Sequence, residues 1–120
     1  MSRRPAIHDA EPHVVTSHGA DFFGEDRHLV KELVGLAAWV TNSVPYVDRK
    51  TVAPLVALLE RPEARTFPAA DAARVSEQLL KVSRIRQLKP RASALARALA
   101  DAAARAAADG DVWEWRVEAA

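Results

Sequence analysis

The stretch that most constrains this chain lies near its C-terminal end. Within Val112-Trp113-Glu114-Trp115-Arg116-Val117-Glu118, apolar and polar residues alternate from Trp113 onward, the two-residue period of a half-buried β-strand. Trp113, Trp115 and Val117 share one face, and Glu114, Arg116 and Glu118 share the other. A strand cannot stand alone, because its backbone N–H and C=O groups need a ladder partner. The matching stretch sits at the other end of the chain. His13-Val14-Val15-Thr16-Ser17-His18 is rich in β-branched residues and is stopped by Gly19. The two strands are expected to pair antiparallel, so everything between them must return to its starting edge.

The intervening residues read as helix. The first helix is expected to start near Gly24 to Asp26, where Glu25 and Asp26 suit the positive end of the dipole, and to run to Ser43 ahead of Pro45. Leu29, Val30, Leu33, Leu36, Ala37 and Val40 form its core face. Glu25, His28, Glu32, Gly35 and Trp39 follow steps of three and four along a second face, so something packs there too. A shorter helix ends at Glu60. Thr51 is favoured over Asp48 as its cap, because Pro54 fits best in a first turn. Val52, Leu55, Val56 and Leu59 face inward, and 61–67 reads as a loop.

Pro68 opens a third helix to about Arg86, with Ala72, Val75, Leu79 and Val82 inward and a supporting Glu77–Lys81 pair outward. The fourth, from about Arg91 to Asp109, is dominated by alanine, with Leu95 and Leu99 as its large apolar residues. Alanine combines high helix propensity with a smooth face that lets two helices approach closely. Gly110 ends it. The expected fold is α+β and mostly helical, with four helices packed on a two-stranded antiparallel ribbon. Residues 1–12 are expected to be a flexible leader and 13–120 one globular domain. If the second face of the first helix packs on the last strand, Trp39 joins Trp113 and Trp115 in one cluster.

Composition narrows the class. The 120 residues are 49% hydrophobic and 28% charged, ordinary for a soluble domain. The absence of cysteine excludes a disulfide frame, a thiolate metal site and a thiol nucleophile. Met1-Ser2-Arg3-Arg4-Pro5 has no apolar run behind it, so no signal peptide or membrane span is expected, and the setting reads as cytoplasmic. The net charge is +1, but residues 1–60 carry six Lys/Arg against eight Asp/Glu and residues 61–120 carry eleven against eight.

Three constellations carry the functional expectations. The first is His18 to His28, where His18, Asp21, Glu25 and His28 are side chains that zinc, manganese or iron accepts. Their spacing matches no established metal motif. The competing reading is a strand-to-helix turn in which Asp21 bonds the backbone, Gly24 bends the chain, and Phe22 and Phe23 plug the core. The second is the basic corner of Lys81, Arg84, Arg86, Lys89 and Arg91 between the last two helices. Arg91 near a helix N-terminus favours an anion such as phosphate. The pI of 8.2 falls short of the value above about 9 typical of nucleic-acid-binding domains. The third is a partner face of Glu32, Trp39, Trp113 and Trp115, since tryptophan serves cores and interface anchors alike.

Catalytic and cofactor signatures fail. There is no phosphate loop, no G-x-S-x-G elbow and no cofactor motif. Ser17 and His18 are adjacent, so on a strand they point to opposite faces and cannot act as nucleophile and base. The expected role is a small non-catalytic interaction or regulatory module, binding a protein partner or a second copy as a homodimer. The alternatives are a nucleic-acid-associated protein using the basic corner, and a metal-dependent hydrolase at His18, Asp21, Glu25 and His28.

Overall fold

The computed structural model describes residues 11–119. Of the expected leader, residues 1–10 lie outside the described residues. The expected pairing of the two terminal strands is present: β1 (His13–Ser17) lies antiparallel to β4 (Trp113–Glu118), with Val14 opposite Val117 and Thr16 opposite Trp115. The ribbon is only the middle of the sheet, however. β2 (Glu25–Leu29) adds to the free edge of β1, and β3 (Arg65–Phe67) adds to β4. The result is a four-stranded antiparallel sheet in the order β2-β1-β4-β3, and it replaces the expected two-stranded ribbon. Extra strands answer the marginal stability of an isolated ribbon.

The first expected helix is therefore divided. Residues 25–29 are strand, and α1 runs from Val30 to Ser43, with Leu29 in extended conformation as its cap. The sequence disguises β2 because both of its faces carry polar groups. Asp26 and His28 share the inner face with Val14 and Thr16, and Glu25 and Arg27 share the outer face with Val15. Two ion pairs bind the outer face across the sheet, Arg27–Glu118 at 2.8 Å and Arg116–Glu25 at 3.0 Å. Arg116 also reaches Glu118 at 3.0 Å. Arg27 and Arg116 flank Val15 from the neighbouring strands, which leaves this outward valine buried. These contacts raise the pKa of both arginines and hold the Glu118 carboxyl below its usual value, chiefly through its bond to Arg27.

The inner face carries the core. Trp113, Trp115 and Phe67 pack with ring centroids 5.4 to 5.8 Å apart. Trp39 is not in this cluster, because the second face of α1 turns toward the last helix rather than toward β4. A 3₁₀ turn (Tyr46–Asp48) leads into α2 (Arg49–Glu60), and Leu55, Leu58 and Leu59 are buried. Asp48 is the cap, not Thr51, and Pro54 lies inside the helix on its exposed side. α3 (Ala69–Ser83) and α4 (Pro90–Ala108) form the most extensively packed helix pair among the described residues. Buried alanines at 96, 100, 103 and 106 let α4 approach, and the buried Ser76 Oγ donates to the Ala100 carbonyl at 2.8 Å. Among the described residues the helix-surface ion pairs are Arg74–Asp71 and Arg97–Asp101, not the expected Glu77–Lys81. No described helix is long and apolar enough to cross a membrane.

Candidate functional site

The β1–β2 connection is a seven-residue loop, 18–24, whose backbone is held almost bond by bond. Asp21 is its hub: its Oδ1 accepts the N–H groups of Phe23 and Glu25, both at 2.8 Å. Its own N–H donates to the Glu25 carbonyl at 3.1 Å, and its carbonyl accepts from Gly24 at 3.0 Å. Asp26 Oδ1 accepts from Ala20 at 2.9 Å, and Gly19 donates to the Gly24 carbonyl at 2.9 Å. Two positions demand glycine. A Cβ at Gly19 would lie 2.2 Å from the Glu25 carbonyl carbon, and Gly24 has φ +73°.

This frame displays the two phenylalanines instead of burying them. Phe22 is 95% exposed and Phe23 is 80% exposed, edge to face at 5.3 Å. The expectation that they plug the core is corrected. No described helix packs over Phe22 and Phe23, so the aromatic rings point into solvent.

The four polar residues expected to form one site go separate ways. His18 leaves the strand with φ 58°, so its ring swings back toward its neighbour. Ser17 Oγ lies 3.0 Å from His18 Nδ1, which corrects the expectation that the two side chains diverge. His18 Nε2 lies 3.3 Å from Asp111 and 3.9 Å from Asp109, at the C-terminal end of α4. Arg105 Nε donates to the His18 carbonyl at 2.7 Å. The pair types are those of a serine–histidine–aspartate relay. Ser17 Oγ, however, already accepts the Glu114 N–H at 2.9 Å, which lowers its electron density as a nucleophile. What this arrangement does is fasten the hairpin to α4 and β4.

Asp21 is consumed by the loop, and Glu25 is paired with Arg116 on the outer face. His28 lies on the inner face, its buried Nε2 without a hydrogen-bond partner among the described residues. Burial pushes its pKa down, against the smaller opposing effects of Asp26 and Glu32. Among the described residues no three His, Cys, Asp or Glu side chains cluster as metal ligands.

The residues that do meet come from two different expectations. A groove of about 200 Å³ runs between α1 and the start of α4. Its floor is Gly35, Leu36, Trp39, Ala92 and Leu95, and its rim is Glu32, Lys89 and Arg91. Arg91 bonds Glu32 at 2.7 Å, so one cation of the basic corner is neutralised there. Lys81 lines a separate recess with Gln78 and Ile85, and Arg84 and Arg86 lie exposed near the α3–α4 turn. Of the expected partner face, Glu32 and Trp39 reach the groove, whereas Trp113 and Trp115 are buried in the core.

Gly35 contributes the unexpected part of this groove. It sits in the interior of α1, where glycine weakens a helix, yet a Cβ built on it would meet nothing within 4 Å. The fold has no steric use for this glycine, and its effect is to open the floor beside Trp39. The row of Glu32, Gly35 and Trp39 was legible as a second packing face. The exposed Phe22–Phe23 pair was not, although the flanking Asp21 and Gly24 mark the tight turn that projects it.

No curated protein and no solved structure matches the chain. One family model, described as a domain of unknown function (DUF7739), matches residues 19–116, from the hairpin loop to the last strand, and the chain belongs to that family.

Proposed function

We propose that this protein is a small, non-catalytic interaction or regulatory module that engages another protein through the tip of the β1–β2 hairpin. The observation that carries the reading is the rigid display of Phe22 and Phe23, 95% and 80% exposed. Burying one phenylalanine side chain contributes roughly 1.5–3 kcal/mol, so leaving two adjacent rings in water forgoes a large favourable term. The hydrogen bonds centred on Asp21 already hold the loop, which reduces the ordering cost on binding. Preorganised aromatic anchors of this kind supply most of the energy at interface hot spots.

A nucleic-acid role for the basic corner is weakened by the commitment of Arg91 to Glu32, and a metal-dependent hydrolase by the divergence of His18, Asp21, Glu25 and His28.

The test places a photoreactive benzoylphenylalanine at position 22 in cells that make the protein. Discrete protein adducts that disappear when Phe23→Ser is added are expected. No adducts, or adducts indifferent to Phe23→Ser, would remove the reading.

A further inference from the structure

We infer that the α1–α4 groove is the receptor for the hairpin tip of a second copy of this chain, with one phenyl ring seated over Gly35 against Trp39. The inference rests on the reading of the tip as the contact element and names its partner.

Four observations support it. The gap at Gly35 has no occupant among the described residues, since an added Cβ would meet none of them within 4 Å outside its own helix backbone and chain neighbours. The groove is open to solvent on one side and offers about 200 Å³; an apolar cavity of about 150 Å³ is enough to bind benzene, so the space accommodates one phenyl ring. Its half-buried Trp39 offers an indole for an aromatic pair. Lys89 on the rim is exposed, and Asp21 is the residue beside Phe22, so the charges at the two mouths are opposite.

The tip cannot supply its own groove. His18 fixes the loop beside Asp109 and Asp111, at the C-terminal end of α4, whereas Ala92 and Leu95 of the groove lie in its first turns. Asp109 lies fourteen positions beyond Leu95 along α4 and its cap, a span of about 21 Å at the usual rise. The ring must therefore arrive from another molecule. Tip and groove are different surfaces, so the contact is head to tail. A contact this small belongs to the weak, transient class of interfaces.

Sedimentation equilibrium of the purified chain, from micromolar to millimolar, tests the proposal. The average mass is expected to rise above the monomer with concentration. A tip variant, Phe22→Ser with Phe23→Ser, and a groove variant, Gly35→Leu, are each expected to lose association by roughly thirtyfold or more. All three positions are exposed, and thermal melts of the monomers verify that the variants fold. Mixing the two variants restores one intact tip and one intact groove, and a one-to-one complex that grows no further is expected. Lys89→Glu, which leaves the floor intact, is expected to weaken association in a salt-dependent way.

A monomer at every concentration would overturn the inference, and adducts from position 22 to a different protein would then leave the interaction module standing. Association unchanged in either variant would overturn it as well. Flotation of a monomeric wild type with phosphatidylglycerol vesicles, lost in the tip variant, would assign the tip to a membrane surface instead.

Discussion

Replacing Gly35 with alanine separates what the fold needs from what the groove needs. Glycine inside a helix is less favourable than alanine by about 0.8–1.0 kcal/mol, because it loses more backbone freedom on folding. Position 35 is the sixth residue of α1, well inside Val30–Ser43. Beyond its own helix backbone and chain neighbours, the new methyl meets no described atom within 4 Å, so no clash offsets the propensity gain. Gly35→Ala is therefore expected to stabilise the monomer by about 0.8–1.0 kcal/mol. For a domain of this size that corresponds to a rise of about 3–6 °C in melting temperature. The urea midpoint should rise with an unchanged slope. Measurements at low micromolar concentration keep self-association from contributing. An unchanged or lowered melting temperature would refute the reasoning: the backbone at 35 would then require glycine, and the gap in the groove would be a by-product of folding. A stabilised monomer with weaker association is the signature of a residue kept for contact at the expense of stability.

Three further outcomes follow from particular atoms. Gly19→Ala should destabilise by roughly 2–3 kcal/mol, measured by urea unfolding, because its Cβ would sit 2.2 Å from the Glu25 backbone. Burial lowers the His28 pKa in the folded state, so below about pH 6.5 the unfolded chain binds the proton more readily and stability falls with falling pH. Urea midpoints measured between pH 7.5 and about 5 should fall less steeply in His28→Gln, and an unchanged pH slope would refute this assignment. Ser76→Ala should cost about 1 kcal/mol by loss of the 2.8 Å bond to the Ala100 carbonyl, read by thermal unfolding.

The patterns that reported correctly on the fold were periodic ones. Alternation in 113–118 located β4 and the faces of Trp113 and Trp115, and the three-and-four spacing of Leu33, Leu36, Ala37 and Val40 located the buried stripe of α1. Both work because a single repeating face is buried, and burial writes its period into the residues. β2 has no such period. It is an edge strand with Asp26 and His28 on one face and Glu25 and Arg27 on the other, and its stabilising partners, Arg116 and Glu118, lie about ninety residues away. β3 is three residues long, too short to show any pattern.

The candidate site divides in the same way. Local chemistry showed that Asp21 and Gly24 build a turn and that Glu32, Gly35 and Trp39 share a helix face. Whether the phenylalanines of that turn were covered, and which element faced that row, depended on where α4 lies. The tertiary structure set α4 against α1, joined Lys89 and Arg91 to Glu32 and Trp39, and left Phe22 and Phe23 beyond its reach. Periodicity and turn chemistry are properties of neighbours along the chain, so the sequence by itself determined the α+β class, the core faces and the loop. Exposure and convergence depend on elements distant in sequence, so only the packed structure decided which surfaces remain free to bind.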